Sequence, residues 1–332
     1  MSGNGSDWRV KWRRRVGAAL IDGFFEGAAR VGKLHPRAKP ERHGIEVIRN
    51  LSYAERGVAE HRLDVYLPQG RSGPIPTLLY VHGGGFRILS KDTHWIMGLM
   101  LARSGIAVFN VNYRLAPKHP FPAALEDCSR ALAWVLDRAS SFGADPDRLI
   151  FAGESAGANL VTALTLSACY ERPEPYAKRV FDLNCVPRAI IPYCGVFQVS
   201  DLDRLSRRRP DMSTFITDRL TEVGKAYVGT DPERHGSALD LADPVCMLER
   251  AEAPDRPLPP CFLPVGTKDP LLDDTRRLAA AWRALGGQCD MKIYPGELHA
   301  FHAFVWREQA QRCWRDSYQF LDGHVPDWSP RC

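Results

Sequence analysis

The stretch that decides the fold is Leu149-Ile150-Phe151-Ala152-Gly153-Glu154-Ser155-Ala156-Gly157-Ala158-Asn159. An apolar run, Leu149 to Ala152, enters a Gly-Glu-Ser-Ala-Gly pentapeptide, and a helix-forming run, Ala158 to Cys169, leaves it. Strand, tight turn and helix in that order are the context in which G-x-S-x-G becomes a nucleophile elbow. The turn has to lift a serine clear of the backbone. Side chains two residues either side of Ser155 would then meet the neighbouring strand and helix, and Gly153 and Gly157 remove them. Without the flanking strand and helix the pentapeptide reads equally well as a glycine-containing loop.

Around the elbow the chain alternates. Ile45 to Ile48 and His61 to Leu67 read as half-buried strands. Pro76 to Val81 is almost wholly apolar, as a strand buried on both faces must be. Ile106 to Val111, Ala189 to Tyr193, Cys261 to Val265 and Cys289 to Tyr294 are further strands. Helices are expected over Pro122 to Ala139, Asp274 to Leu285 and Phe304 to Leu321. Alternating β and α elements imply an α/β fold with a mainly parallel central sheet and helices on both faces. Residues 8–33 have the spacing of an amphipathic helix with a basic leading turn. Packing of its apolar face on the domain is the simpler account, and an anionic membrane surface is the alternative. Between Phe197 and Arg256 no buried strand is legible, only polar runs and one helix, Asp218 to Tyr227. That stretch reads as an insertion above the sheet. The expected organisation is therefore an N-terminal cap helix region (1–42), a core in two parts (43–196 and 257–332) and a cap insertion (197–256).

Composition narrows the classes. The 332 residues are 45% hydrophobic and 25% charged, with a net charge of +5; this is the balance of a soluble globular protein. The basic excess lies in residues 1–62, which a solvated helix face explains without nucleic acid. No run approaches the ~20 apolar residues of a membrane span. The nine cysteines form no C-x-x-C pair and no His/Cys cluster with zinc spacing. A cytoplasmic protein without disulfides, metal or other cofactor is expected.

Two further loops give the elbow its chemistry. His82-Gly83-Gly84-Gly85-Phe86 follows the third strand, and its consecutive glycines let backbone amides approach a ligand closely. With the amide of Ala156, the residue after the serine, they would form an oxyanion hole. A plain glycine-rich turn and a phosphate cradle are the alternatives, the latter lacking G-K-[ST]. Downstream, Asp269 and His299 each sit in a loop at a strand's C-terminal end, in the chain order Ser, Asp, His. Asp273 and Asp274 fall at a helix start, where capping and the helix dipole account for them. His302 competes with His299 but lies where the last helix begins. Phe86, Phe197 and Phe301 lie near these loops and are candidates for an apolar substrate pocket, or for core.

His82-Gly-Gly-Gly-Phe86, Tyr113-Arg-Leu-Ala-Pro117 with Phe121-Pro-Ala-Ala-Leu-Glu-Asp127, Gly153-Glu-Ser-Ala-Gly157, Asp269-Pro-Leu271 and His299-Ala-Phe301 together resemble the bacterial hormone-sensitive-lipase-like carboxylesterases over residues 60–325. The resemblance implies an α/β-hydrolase fold with a helical cap built from the N-terminus and the mid-chain insertion. It also implies hydrolysis of small-molecule carboxylic esters of short to medium chain by Ser155, Asp269 and His299. Gly84 and Gly85 would supply the oxyanion amides, without cofactor, and similar enzymes often pair as homodimers. The tract Tyr113 to Asp127 is expected to brace the sheet and the glycine loop. Amide or lactone hydrolysis on the same triad is the first rival. A small-ligand receptor on an inactive scaffold is the second, and the presence of His299 speaks against it. The chain departs from the family pattern at Glu154, where Asp is usual, and at Ala300, where Gly is usual.

Overall fold

The computed structural model describes residues 23, 27, 31–54, 57–70 and 73–330. Among them, eight strands form one sheet: β1 Ile45–Ser52, β2 Arg62–Pro68, β3 Ile75–Val81, β4 Ala107–Val111, β5 Ala144–Glu154, β6 Ala189–Tyr193, β7 Cys261–Gly266 and β8 Cys289–Tyr294. Their order is β1-β2-β4-β3-β5-β6-β7-β8. The β1–β2 and β2–β4 pairings are antiparallel, and every other neighbouring pair is parallel. The elbow strand β5 thus lies inside the sheet between β3 and β6, flanked by the strand that feeds the glycine loop.

The period of two in each strand divides the core into two layers. On β3, Leu79 and Val81 join one apolar cluster, whereas Leu78 and Tyr80 join the other. The second layer is closed by α1 (Trp95–Arg103) and α9 (Glu308–Asp322). The first is closed by α2 (Ala123–Arg138), α3 (Ala156–Cys169), α4 (Pro175–Asp182) and most of the apolar face of α8 (Leu272–Ala284). Burial on both faces is why β3, β4 and β6 read as nearly continuous apolar runs, with Thr77 and Asn110 the polar exceptions, rather than alternating ones.

All the expected strands form, with β5 extending back to Ala144. The last helix starts at Glu308 rather than Phe304, because residues Phe301–Ala303 form a separate 3-10 turn. The expected helix over 8–33 lies outside the described residues except at Gly23, Gly27 and 31–33, which are helical. The insertion holds more helix than the single one expected: α5 (Asp203–Arg208), α6 (Thr214–Tyr227), a 3-10 segment Pro232–Leu241 and α7 (Pro244–Arg250). Its apolar residues Phe197, Leu202, Leu205, Tyr227, Leu241 and Val245 are buried in the same cluster as β3 and α3. Among the described residues no helix is long and apolar enough to cross a membrane.

Candidate active site

Ser155 stands at the β5–α3 junction with φ 55° and ψ −112°, and it is the one partly exposed residue between Leu149 and Cys169. Its N–H donates to Tyr193 O at 2.9 Å. The flanking glycines are required by contact: a Cβ on Gly153 would stand 2.5 Å from Gly157 O, and one on Gly157 would stand 2.0 Å from Val81 O. Neither approach is tolerable, so the pentapeptide's small residues follow from the turn's geometry.

The glycine loop lies directly beside the serine. A Cβ on Gly83 would meet Ser155 Cβ at 3.4 Å and Glu154 O at 3.0 Å. Gly84 (φ 113°) and Gly85 (φ 58°) turn the chain, with Gly84 O accepting from Arg87 and Ile88 N–H. The N–H of Gly83 is committed to His94 Nε2 at 3.3 Å. Those of Gly84, Gly85 and Ala156 donate to no carbonyl or side chain among the described residues. The loop is braced as expected: Tyr113 donates its hydroxyl to His82 O at 3.0 Å and stacks on the His82 ring at 4.3 Å. Burial, with His94 nearby, pushes the His82 imidazole down to about 3, so it is a neutral strut. The Arg114–Asp127 pair and His61 on Asp127 fasten the rest of the tract.

Asp269 and His299 meet. Asp269 is fully buried and divides its carboxylate between Leu271 N–H (2.8 Å to Oδ1) and His299 Nδ1 (2.9 Å to Oδ2). Each oxygen is thereby fixed, and the imidazole is held in one orientation. Burial works against charging His299, but the Asp269 carboxylate, with the Cys194 sulfur second to it, outweighs burial and lifts the imidazole well above its ordinary value. The two loops are clamped to each other: Lys268 N–H donates to Glu297 O at 2.9 Å, and Gly296 N–H to Thr267 Oγ1 at 2.8 Å. Arg209, from the segment between β6 and β7, donates to Asp269 O at 3.1 Å and ties that segment to the Asp269 loop.

His302 has a different place. It is buried, stacks on Tyr193 at 4.4 Å, and lies 3.2 Å from Glu154 Oε2. His94 approaches the other oxygen at 3.6 Å. Burial opposes ionisation of Glu154, yet His302 and His94 hold its carboxyl well below the usual range. The longer side chain at this position therefore spans from the glycine loop, through His94, to the turn after His299. A purely structural brace accounts for it.

Four readings from sequence need correction. Phe86, Phe197 and Phe301 are 0–1% exposed, so they present no face to a pocket. Phe86 stacks on Tyr227 at 3.7 Å, Phe197 packs in the β3–α3 layer, and Phe301 packs on Tyr294. Their core alternative is the one they occupy. Asp274 is no helix cap: it is buried and accepts from Phe197 and Gln198 N–H (2.9 and 3.2 Å) and from Arg204, anchoring the start of the insertion to α8. Asp273 and Asp274 do lie in the first turn of α8, where the helix dipole favours them, but no side chain caps that helix, which starts at Leu272.

Two residues were not singled out by sequence. Arg209 belongs to a run that reads as solvated charge. Cys194 follows β6 directly, and its Sγ lies within 4.8 Å of ligand atoms of both Asp269 and His299. Its position just past a strand's C-terminal end is the signal that selected Asp269 and His299.

Backbone strain gathers here. Of the eight non-glycine residues with positive φ among the described residues, five (Phe86, Leu89, Ser155, Cys194, Ala300) belong to these loops. At Ala300 the conformation is left-handed (φ 57°, ψ 26°), which glycine adopts without penalty. Ala300→Gly removes a strain of ~1–2 kcal/mol against a glycine chain-entropy cost of ~0.5–1 kcal/mol. The expected outcome is a gain of roughly 0.5–1 kcal/mol in urea denaturation; a loss above that size would mean that the Ala300 methyl makes a needed contact.

A family model described as alpha/beta hydrolase fold matches residues 78–303. Among solved structures, the chain is similar to an esterase/lipase from an uncultured bacterium, at 26% identity over 85% of both chains with a TM-score of 0.64. It is also similar to the esterase LipW from Mycobacterium marinum (24% identity, 93% of this chain and 90% of that one, TM-score 0.74). A Pyrobaculum calidifontis esterase stands at 24% identity, 93% and 94% coverage and a TM-score of 0.70.

Proposed function

Because the chain belongs to the hormone-sensitive-lipase-like esterase family of α/β-hydrolases, we propose that it is a serine carboxylesterase acting on short- to medium-chain esters through an acyl-enzyme. Ser155 Oγ attacks the ester carbonyl, and neutral His299 accepts its proton. Asp269 holds the tautomer with Nδ1–H toward itself and stabilises the imidazolium that forms. The uncommitted amides of Gly84, Gly85 and Ala156 receive the developing oxyanion. His299 then protonates the leaving alcohol, and water repeats the cycle on the acyl-enzyme.

The observation that carries this reading is the buried Asp269, whose two oxygens are divided between a backbone amide and the His299 ring. A binding protein has no need of a carboxylate buried to orient an imidazole. The substrate range rests on the insertion. Val223 of α6 stands so close to Gly85 that a Cβ there would meet its Cγ2 at 2.6 Å. With α6 this near the glycine loop, the acyl group has limited room.

The test is a rate comparison on matched p-nitrophenyl esters from acetate to palmitate and on the p-nitroanilide of the best acyl group. Acetate-to-octanoate esters should be turned over fastest, with the anilide slower by several orders. A preference for palmitate would overturn the chain-length reading, and a faster anilide would make the enzyme an amidase. In the same assay the pH profile has a defined sign. The base is neutral imidazole, and Asp269 raises its pKa, so the protonated, inactive form persists to higher pH. The acid limb of kcat/KM should therefore lie above ~6.5, the ordinary histidine value. A limb below 6 would contradict the pairing.

A further inference from the structure

Cys194 brings a third donor to the Asp269–His299 pair. Among the described residues, Cys194, Asp269 and His299 are the one group of three histidine, cysteine or acidic side chains whose ligand atoms lie within 4.8 Å of one another. We propose that these three residues form an inhibitory site for a soft divalent cation of the Zn²⁺ class, which switches the enzyme off by capturing its general base. The inference rests on the reading of His299 as that base.

The geometry that builds the site is specific. Cys194 has φ 40°, a left-handed conformation costly for any residue with a Cβ. Its N–H donates to Pro264 O on β7 at 3.1 Å, five residues before Asp269. Tyr193 O and Val196 N–H on either side are bonded to the backbone of Ser155. The thiol is thus held between the strand that delivers the acid and the turn that delivers the serine. It is 1% exposed, and Asp269 is fully buried, so solvent reaches the group through His299, whose side chain is 34% exposed. Cation entry is past the ring that it captures.

The donor set suits the ion. Thiolate, imidazole and carboxylate are the three ligand types of protein zinc sites, and three protein ligands leave a fourth position for water. Zn–S near 2.3 Å and Zn–N or Zn–O near 2.0–2.2 Å would place the donors roughly 3.6 Å apart in a tetrahedron. Side-chain shifts of about an ångström close the 4.8 Å limit. On binding, the thiol gives its proton to solvent and the imidazole gives its lone pair. With thiolate and carboxylate the dication makes an electrically neutral unit, which a buried position favours. A thiolate ligand selects Zn²⁺ or Cd²⁺ over Mg²⁺ or Ca²⁺.

Inhibition follows from the histidine alone. A neutral imidazole has one in-plane lone pair. Whichever nitrogen takes the metal, that pair is spent and cannot accept the Ser155 proton. The three ligands lie 75 and 30 residues apart in the chain, which is why no metal-binding spacing is legible in the sequence.

The experiment uses the intact protein and its Cys194→Ser and Ser155→Ala variants. Cd²⁺ is titrated while the thiolate-to-metal charge-transfer absorption is read, and Zn²⁺ is titrated against ester hydrolysis, each variant referred to its own metal-free rate. The expected result is a one-equivalent absorption component in the parent and in Ser155→Ala that is missing in Cys194→Ser. Zn²⁺ inhibition should be reversed by a chelator. Its half-inhibitory concentration should rise in Cys194→Ser by at least 10- to 100-fold, about the affinity loss that even an outer-shell partner's removal brings. Mg²⁺ should have no effect. Equal inhibition of parent and Cys194→Ser, or an unchanged absorption component, would overturn the site. The absorption reading does not need catalysis. A protein that binds Cd²⁺ through Cys194 but hydrolyses no ester would keep the site and refute the esterase reading instead.

Discussion

Ser155→Ala should cut ester turnover by roughly 10⁴- to 10⁶-fold while leaving the fold intact. Ser155 is only partly buried, and its hydroxyl makes no hydrogen bond that holds the elbow among the described residues. The turn is kept by the Ser155 N–H bond to Tyr193 O and by the two glycines, none of which alanine disturbs. Alanine also accepts the strained φ of 55° no worse than serine does. Melting temperature should therefore stay within about 2 °C of the parent, the shift of well under 1 kcal/mol in a chain of this size. A residual rate above the uncatalysed one is expected, because the amides of Gly84, Gly85 and Ala156 remain to hold an oxyanion formed by direct water attack. Single-turnover measurements separate this from contaminating parent enzyme, since a trace of parent gives a small burst and the variant gives none. A Ser155→Ala protein with turnover within tenfold of the parent would remove the serine from the mechanism.

How far sequence carries depends on whether the constraint is local. The elbow was legible because its glycines answer to contacts made within four residues, Gly153 against Gly157, and to the strand alongside. The inner strands were legible because a sheet buried on both faces needs nearly continuous apolar runs. The meeting of Asp269 and His299 was legible because both follow parallel strands at the end where an α/β sheet binds its ligands. Non-local constraints were the ones missed. Phe86, Phe197 and Phe301 sit beside these loops in the chain, but the insertion packs over the first two and Tyr294 over the third, and chain proximity to a site does not say which side of the backbone faces it. Asp274 looked like a cap until the insertion's backbone amides were placed on top of it. Glu154 is the intermediate case. Its departure from the family pattern was visible, whereas its reason, a span between His94 and His302, needed the glycine loop and the last turn brought together.

Asp269→Asn tests the orientation of the base without removing any group that touches substrate. The asparagine oxygen can keep the bond from Leu271 N–H, so the acid loop should remain closed. What replaces Oδ2 is an NH₂, which donates. His299 Nδ1 must then accept, and its proton moves to Nε2, the nitrogen that should take the serine's proton. The base is blocked by its own hydrogen. A loss of about 10⁴-fold in kcat is expected, with KM little changed, as when a triad histidine is held in the wrong tautomer elsewhere. The same substitution removes the larger of the two influences that lift His299 above its ordinary value, leaving the smaller one from Cys194, while the burial that lowers it remains. The acid limb of the residual activity should therefore move to lower pH, the direction opposite to a simple loss of stability in acid. Those two readouts distinguish orientation from unfolding: a destabilised variant would lose rate at every pH with the limb in place. Ordinary kcat, or a limb that does not move, would mean that Asp269 only supports the loop.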